Sequence, residues 1–206
     1  VTSFSLLIAY QNIATGVAST IHFMYPLAVA LAMMFFFREK KSLLVILAVL
    51  MSLLGAALLS SGELEAKNGD TIVGLVAACV SVFSYAGYIV GVRMTRAVRI
   101  NSTVLTCYVM GLGTIFYLIG AYCTSGLQLV SDGYTWLIIL GLALPATAIS
   151  NITLVQAIKY AGPTLTSILG AMEPLTAVVI GVFVFKELFT VNSAVGIILI
   201  LLAVSI

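Results

Sequence analysis

One carboxylate stands within an apolar stretch of the chain. Residues 171–188 read AMEPLTAVVIGVFVFKEL, and Glu173 is the only acidic side chain in the interior of any such apolar run. A carboxylate at this position is costly in lipid and usually faces a water-filled cavity or a partner group. Glu173 is therefore a candidate for binding a substrate or exchanging a proton, and a structural glutamate hydrogen-bonded to a neighbouring helix is the alternative.

The single histidine, His22, precedes Tyr25 by three residues, so a helix presents both side chains on one face. This pair could relay protons or bind a substrate, although a lone histidine in a helix bundle is more often only hydrogen-bonded. No second histidine and no acidic cluster accompanies His22, so we expect no metal site. No cofactor is predicted either.

Further polar residues occur within the apolar runs. Tyr85 and Tyr88 lie three residues apart on one run, together with Gly87 and Gly91, whose spacing is typical of close helix approach. Asn151 lies on a later run, where it could be a polar group in a cavity or a hydrogen-bonding group between helices.

The composition indicates that these residues belong to a protein embedded in a membrane. The chain of 206 residues is 62% hydrophobic and 8% charged, with a mean hydropathy of +1.23. Apolar runs of this kind are long enough to cross a hydrocarbon layer about 30 Å thick as helices. The sequence therefore predicts an all-α polytopic bundle, with a part-span at 1–10 and spans near 14–37, 43–60, 72–92, 102–123, 134–158, 163–185 and 190–206.

The linkers between these spans alternate in charge. The first contains Arg38, Lys40 and Lys41, whereas the second contains Glu63, Glu65 and Asp70. The third is basic again, the fourth contains Asp132 and the fifth contains Lys159. Because cytoplasmic loops carry an excess of Lys and Arg, we expect the first, third and fifth linkers on the cytoplasmic side.

An internal repeat relates the two ends of the chain. Residues 24–39 read MYPLAVALAMMFFFRE and residues 172–187 read MEPLTAVVIGVFVFKE, so that several positions recur 148 residues later without a gap. An odd number of helix steps separates the copies, which predicts that they cross the membrane in opposite directions. Pro26 and Pro174 match in the repeat and are predicted to kink their helices, freeing the carbonyls of His22 and Gly170. Each kink could line a cavity, help in gating, or be static.

These motifs resemble the EamA-type members of the drug/metabolite transporter superfamily. The resemblance rests on the central M-x-P or x-E-P, the F-x-E exit and the following glycine-containing apolar helix in both copies. It implies ten helices in two inverted five-helix repeats, of which about seven to eight are present here. Residues 1–61 would end the first repeat and residues 71–206 would form the second. It also makes Tyr85 and Tyr88 candidate substrate contacts.

The resemblance implies a secondary transporter that moves a small organic solute by alternating access. A non-transporting membrane scaffold or subunit of the same fold is the alternative. No enzyme is expected, because the sequence lacks HExxH, GxSxG and paired-acid motifs, and no nucleotide-binding loop is present. The expected partners are a small-molecule substrate and the lipid bilayer, with a homodimer left open and no nucleic acid. We expect an integral, multi-pass protein of the plasma membrane.

Overall fold

The computed structural model describes residues 1–37, 43–60, 69–123, 130, 132–170, 172–183 and 190–205. The linker charges at 38–41, 63 and 65 and the F-x-E exits of both repeats fall, wholly or in part, outside the described residues. Where the chain is described, it is helical almost throughout. The α-helices are α1 (Thr2–Asn12), α2 (Thr15–His22), α3 (Tyr25–Phe36), α4 (Leu43–Ser60), α5 (Thr71–Met94), α6 (Ser102–Cys123), α7 (Gly133–Gly141), α8 (Ser150–Ala161), α9 (Pro163–Leu169), α10 (Met172–Phe183) and α11 (Val191–Ser205).

These helices lie where the apolar runs predict them, except that two of the expected helices are interrupted. The expected single helix at 14–37 is interrupted between α2 and α3, and the expected helix at 163–185 is interrupted between α9 and α10. Among the described residues, four helical spans are long and apolar enough to cross a membrane: Val17–Phe36, Thr71–Met94, Ser102–Tyr122 and Gly133–Ala161. The apolar helices Leu43–Leu58 and Ala194–Ala203 are shorter.

The chain forms two compact units. Unit 1 comprises Val1–Gly91 and Pro163–Ile206, and unit 2 comprises Val92–Gly162. Unit 1 therefore contains described parts of both repeat copies. Among the described residues of this unit, two clusters of buried side chains are rich in alanine. One joins α1, α2 and α5 through Ala9, Ala18 and Ala78, and the other joins α3, α4, α9 and α11.

The longest helix contact within unit 1 runs between α4 and α11. A Cβ atom added at Gly55 would lie 2.7 Å from the Ile200 side chain and 2.8 Å from the Gly196 carbonyl oxygen. Small residues allow helix backbones in a membrane to approach this closely. The helices α4 and α11 therefore pack closely at Gly55.

Unit 2 contains an irregular helical segment. Between α7 and α8, residues Leu142–Ile149 form a π-helix that contains Pro145. Proline lacks a backbone donor and disturbs the regular ladder, and the Thr147 hydroxyl donates to the Leu142 carbonyl at 2.8 Å within this wider turn. Helix α8 then ends at Gly162, whose φ of 88° suits glycine.

Candidate functional site

The break between α2 and α3 positions His22 and Tyr25. His22 is the last residue of α2 and Tyr25 the first residue of α3, with a turn at Phe23 and Met24 between them. Pro26 consequently lies in the first turn of α3, where an α-helix has no partner for a backbone N–H. The proline thus begins a helix, whereas the sequence predicted it in the middle of one.

The break between α9 and α10 positions Glu173 in a corresponding way. Gly170 follows the end of α9, and Glu173 lies in the first turn of α10, directly before the buried Pro174. The predicted free carbonyl of Gly170 is wrong, because this oxygen accepts a hydrogen bond from the Glu173 backbone N–H at 3.0 Å. Pro174 has no N–H to donate to the Gly170 oxygen. The chain instead forms a tighter turn, in which the Glu173 N–H donates to this oxygen.

The two breaks meet through Tyr25 and Gly170. Tyr25 is buried, with 2% of its surface exposed. A Cβ atom built on Gly170 would lie 1.7 Å from the Tyr25 hydroxyl oxygen, so only glycine leaves room for this phenol. Tyr25 begins α3 and Gly170 follows α9, so their contact joins the two helix breaks.

Aromatic rings extend from this contact onto α5. The rings of Tyr25 and Tyr85 lie 4.6 Å apart between centroids and meet edge to face at 79°. The His22 ring lies 5.5 Å from that of Tyr85, and the Tyr88 ring lies nearly parallel to that of Tyr85 at 6.5 Å. These separations are typical of favourable aromatic pairs. We call His22, Tyr25, Tyr85 and Tyr88, together with Glu173, the aromatic–carboxylate cluster.

The tautomer of His22 follows from its hydrogen bond. The His22 Nδ1 atom lies 2.9 Å from the Ser81 hydroxyl oxygen, and this hydroxyl donates its single proton to the Ala78 carbonyl at 2.6 Å. Ser81 must therefore accept from His22 Nδ1–H. In the neutral ring this leaves Nε2 as a hydrogen-bond acceptor.

Glu173 completes the cluster from α10. It interacts with both Tyr25 and Tyr85 electrostatically, and its side chain is exposed. The Tyr88 hydroxyl is buried and has no hydrogen-bond partner among the described residues. The cluster thus combines a carboxylate, aromatic faces and an uncommitted hydroxyl, a set that can bind a small polar molecule.

Asn151 is the one candidate residue that lies in unit 2. Its side-chain nitrogen donates to the Thr147 carbonyl at 2.8 Å, one turn earlier on the same stretch of helix. The predicted close helix approach at Gly87 and Gly91 is not seen among the described residues, where a Cβ atom at either position would meet no atom within 4 Å. Sequence reasoning also missed the steric role of Gly170, for which the repeat gave no signal because its equivalent is His22.

These features define an integral, multi-pass α-helical membrane protein. The model of the EamA-like transporter family matches residues 72–206, well over half of the chain. The chain therefore belongs to the EamA-like transporter family, which confirms the resemblance seen in its motifs. Members of this family are transporters of small solutes and are generally not enzymes.

Solved structures share this fold. Fourteen chains of solved structures match the protein. One, described only as the crystal structure of a protein, superposes with a TM-score of 0.85 at 18% sequence identity and covers 99% of this chain and 70% of its own. At this identity the likeness shows the fold alone. No curated protein matches the chain.

Proposed function

We propose that the protein is a secondary transporter that moves a small organic solute across the plasma membrane by alternating access. In this proposal two inverted repeats carry the transport pathway, with residues 1–61 ending the first copy and residues 71–206 forming the second. The aromatic–carboxylate cluster binds the solute. Glu173 contacts the solute directly or exchanges a proton during the cycle.

The observation that carries the proposal is the contact between the two repeat copies at their helix breaks. In transporters built from inverted repeats, substrate sites are formed at the repeat interface by discontinuous helices. Tyr25 and Glu173 occupy equivalent positions in the two copies; Tyr25 packs against the Tyr85 ring, and Glu173 interacts with Tyr85 electrostatically. The aromatic–carboxylate cluster therefore lies at the interrupted helices of unit 1.

The irregular backbone at the breaks supports the same conclusion. A helix interruption at membrane depth is tolerated where it is buried in protein or lines a water-filled cavity. Pro26 and Pro174 are both buried, and Tyr25 fills the space beside Gly170. Short turns of this kind can absorb changes in backbone angles when one half of a transporter rocks against the other.

The test compares the full-length protein with its Glu173→Gln variant in cells, at equal membrane abundance. Solute concentrations inside and outside the cells are measured by mass spectrometry. Asp132→Asn is the matched control, because it also removes one carboxylate but keeps a good helix-capping side chain. We expect at least one solute to redistribute with the wild type and Asp132→Asn, but not with Glu173→Gln.

Two outcomes contradict the proposal in different ways. If Glu173→Gln moves the solute as fast as the wild type, Glu173 is structural and the site lies elsewhere. If no solute changes its distribution with the wild type, the chain belongs to a non-transporting scaffold of the same fold.

A further inference from the structure

We propose that the solute recognised by the aromatic–carboxylate cluster is a small organic ammonium ion, namely a protonated amine with an apolar body. This inference rests on the proposed function, because it names the chemical class that the same site binds. Three properties of the cluster support it: its charge balance, its ring faces and its hydrogen-bond acceptors.

The charges of the described cluster favour a cation. Among the described residues of unit 1, Asp70 and Glu173 are the acidic residues, and no lysine or arginine occurs. Asp70 is already engaged, since its carboxylate caps the start of α5 by accepting from the Ile72 and Val73 backbone N–H groups. Glu173 thus has no cationic side chain to pair with among the described residues of unit 1, and a positive partner stabilises a carboxylate in a low-dielectric region.

The rings supply a second attraction for positive charge. The face of a tyrosine ring is electron-rich and attracts an ammonium group placed within about 6 Å of its centre. The Tyr85 ring has Tyr25 on one side at 4.6 Å and Tyr88 on another at 6.5 Å. Because Glu173 lies close to Tyr25 and Tyr85, the ring attraction and the carboxylate attraction act on the same region.

The polar atoms of the cluster supply acceptors for N–H donors. An ammonium group carries N–H donors and no acceptor, so it needs partners that accept. The Glu173 carboxylate accepts, and the bond from His22 Nδ1–H to Ser81 leaves Nε2 as an acceptor. The Tyr88 hydroxyl, buried without a described partner, provides another oxygen that can accept. An anionic solute would place a like charge near the Glu173 carboxylate, which is unfavourable.

Binding to the purified full-length protein in detergent, measured by isothermal titration calorimetry at neutral pH, tests this inference. The probes are 2-phenylethylammonium, the uncharged 2-phenylethanol and the zwitterion phenylalanine, which share one aromatic body. We expect the ammonium ion to bind at least about tenfold more tightly than the alcohol, because each charge-assisted hydrogen bond contributes about that much. Phenylalanine should bind more weakly than the amine, because its carboxylate would meet Glu173 without a cation between them.

Variants separate the two sources of attraction. Glu173→Gln should lower the affinity for the ammonium ion about tenfold or more, while that for the alcohol stays nearly constant. Tyr85→Phe keeps the ring face and should retain the preference for the ammonium ion, whereas Tyr85→Leu should reduce it. Asp132→Asn should bind all probes as the wild type does.

Equal binding of amine and alcohol, or tighter binding of phenylalanine, would overturn the ammonium assignment. A Glu173-dependent transport of some other solute in cells would then leave the proposed function intact. Conversely, ammonium binding without any transport would support this inference and contradict the proposed function.

Discussion

The polar side chains around the cluster of unit 1 bond differently from several polar side chains of unit 2. In unit 1, hydroxyl and imidazole groups bond between helices that are distant in sequence. Thr2 on α1 meets Ser84 on α5 at 2.9 Å, and His22 on α2 meets Ser81 on α5 at 2.9 Å. Such bonds fix the positions of helices relative to one another, and here they hold α5 and its tyrosines against the break between α2 and α3.

In unit 2, several polar side chains bond to the backbone of their own helix. Thr114 donates to the Met110 carbonyl at 3.0 Å, and Asn151 donates to the Thr147 carbonyl at 2.8 Å. A polar side chain satisfied in this way can tolerate an apolar environment without a partner helix. The difference teaches that a bond between helices helps to position a site, whereas a bond to the residue's own helix does not.

The largest effect on stability is expected for Gly170→Ala, which tests the packing at the helix breaks of unit 1. The added methyl group would overlap the Tyr25 hydroxyl oxygen, so the buried ring must move. We expect a loss of about 3 kcal/mol in stability, or failure to accumulate, because an over-packed interior resists extra volume. Thermal unfolding of the purified protein in detergent measures the change.

The double variant Gly170→Ala with Tyr25→Phe is the control for this effect. Removing the hydroxyl takes away the shortest contact, so part of the lost stability should return, although the ring carbon beneath it still lies at 3.0 Å. Equal melting temperatures for Gly170→Ala and the wild type would show that Tyr25 does not pack against Gly170.

The contact between α4 and α11 gives the next effect. Gly55→Ala should lower stability by about 1–3 kcal/mol, because its methyl group would press on Ile200 and on the Gly196 backbone. Gly87→Ala is the matched control, since its methyl group meets no described atom within 4 Å and alanine favours a helix by about 1 kcal/mol. If both variants melt at the same temperature, the close approach of α4 and α11 is wrong.

A smaller effect separates bonds between helices from bonds within one. Ser81→Ala would leave His22 Nδ1–H without its acceptor, at a cost of about 1–3 kcal/mol for an unsatisfied, partly buried donor. Asn151→Leu removes only a bond to its own helix and should change stability by about 0.5 kcal/mol or less. The same unfolding assay measures both variants. A larger loss of stability for Asn151→Leu than for Ser81→Ala would contradict the view that the bond between helices matters more than the bond within one helix.

The smallest effect is expected at the start of α7, outside the membrane-spanning segments. The backbone N–H and hydroxyl of Thr135 both donate to the Asp132 carboxylate and hold the pKa of Asp132 below its usual range. A lowered pKa means that this stabilisation is present above the unfolded pKa and is lost as pH falls through the folded pKa. Backbone hydrogen exchange at Thr135 should therefore quicken on acidification, and Asp132→Ala should abolish that dependence.

Much of the helical architecture could be predicted from the sequence, because continuous apolar runs between polar breaks leave few alternatives in lipid. The boundaries of α4, α5 and α6 lie within two residues of the expected ones. The breaks before Pro26 and Pro174 were not predicted. A proline indicates an irregularity, but sequence alone does not tell whether the helix bends or ends one turn earlier.

The candidate site could be predicted in part, because the repeat and the three-residue spacings place side chains on shared faces. His22, Tyr25, Tyr85 and Tyr88 lie together in the structure, with Glu173 near them. Their roles stay predictions. The fit of Tyr25 against Gly170 could not be found from sequence, because it depends on the distance between two helices that are remote along the chain.

The most direct test of the central claim is a double-mutant cycle on solute affinity with Glu173→Gln and Tyr85→Leu. If both residues contact one bound solute, the effects should not add, and the interaction free energy should be about 0.5–3 kcal/mol. Additive effects, within about 0.3–0.5 kcal/mol, would mean that Glu173 and Tyr85 do not share a ligand and would contradict a single site at the contact of the two repeats.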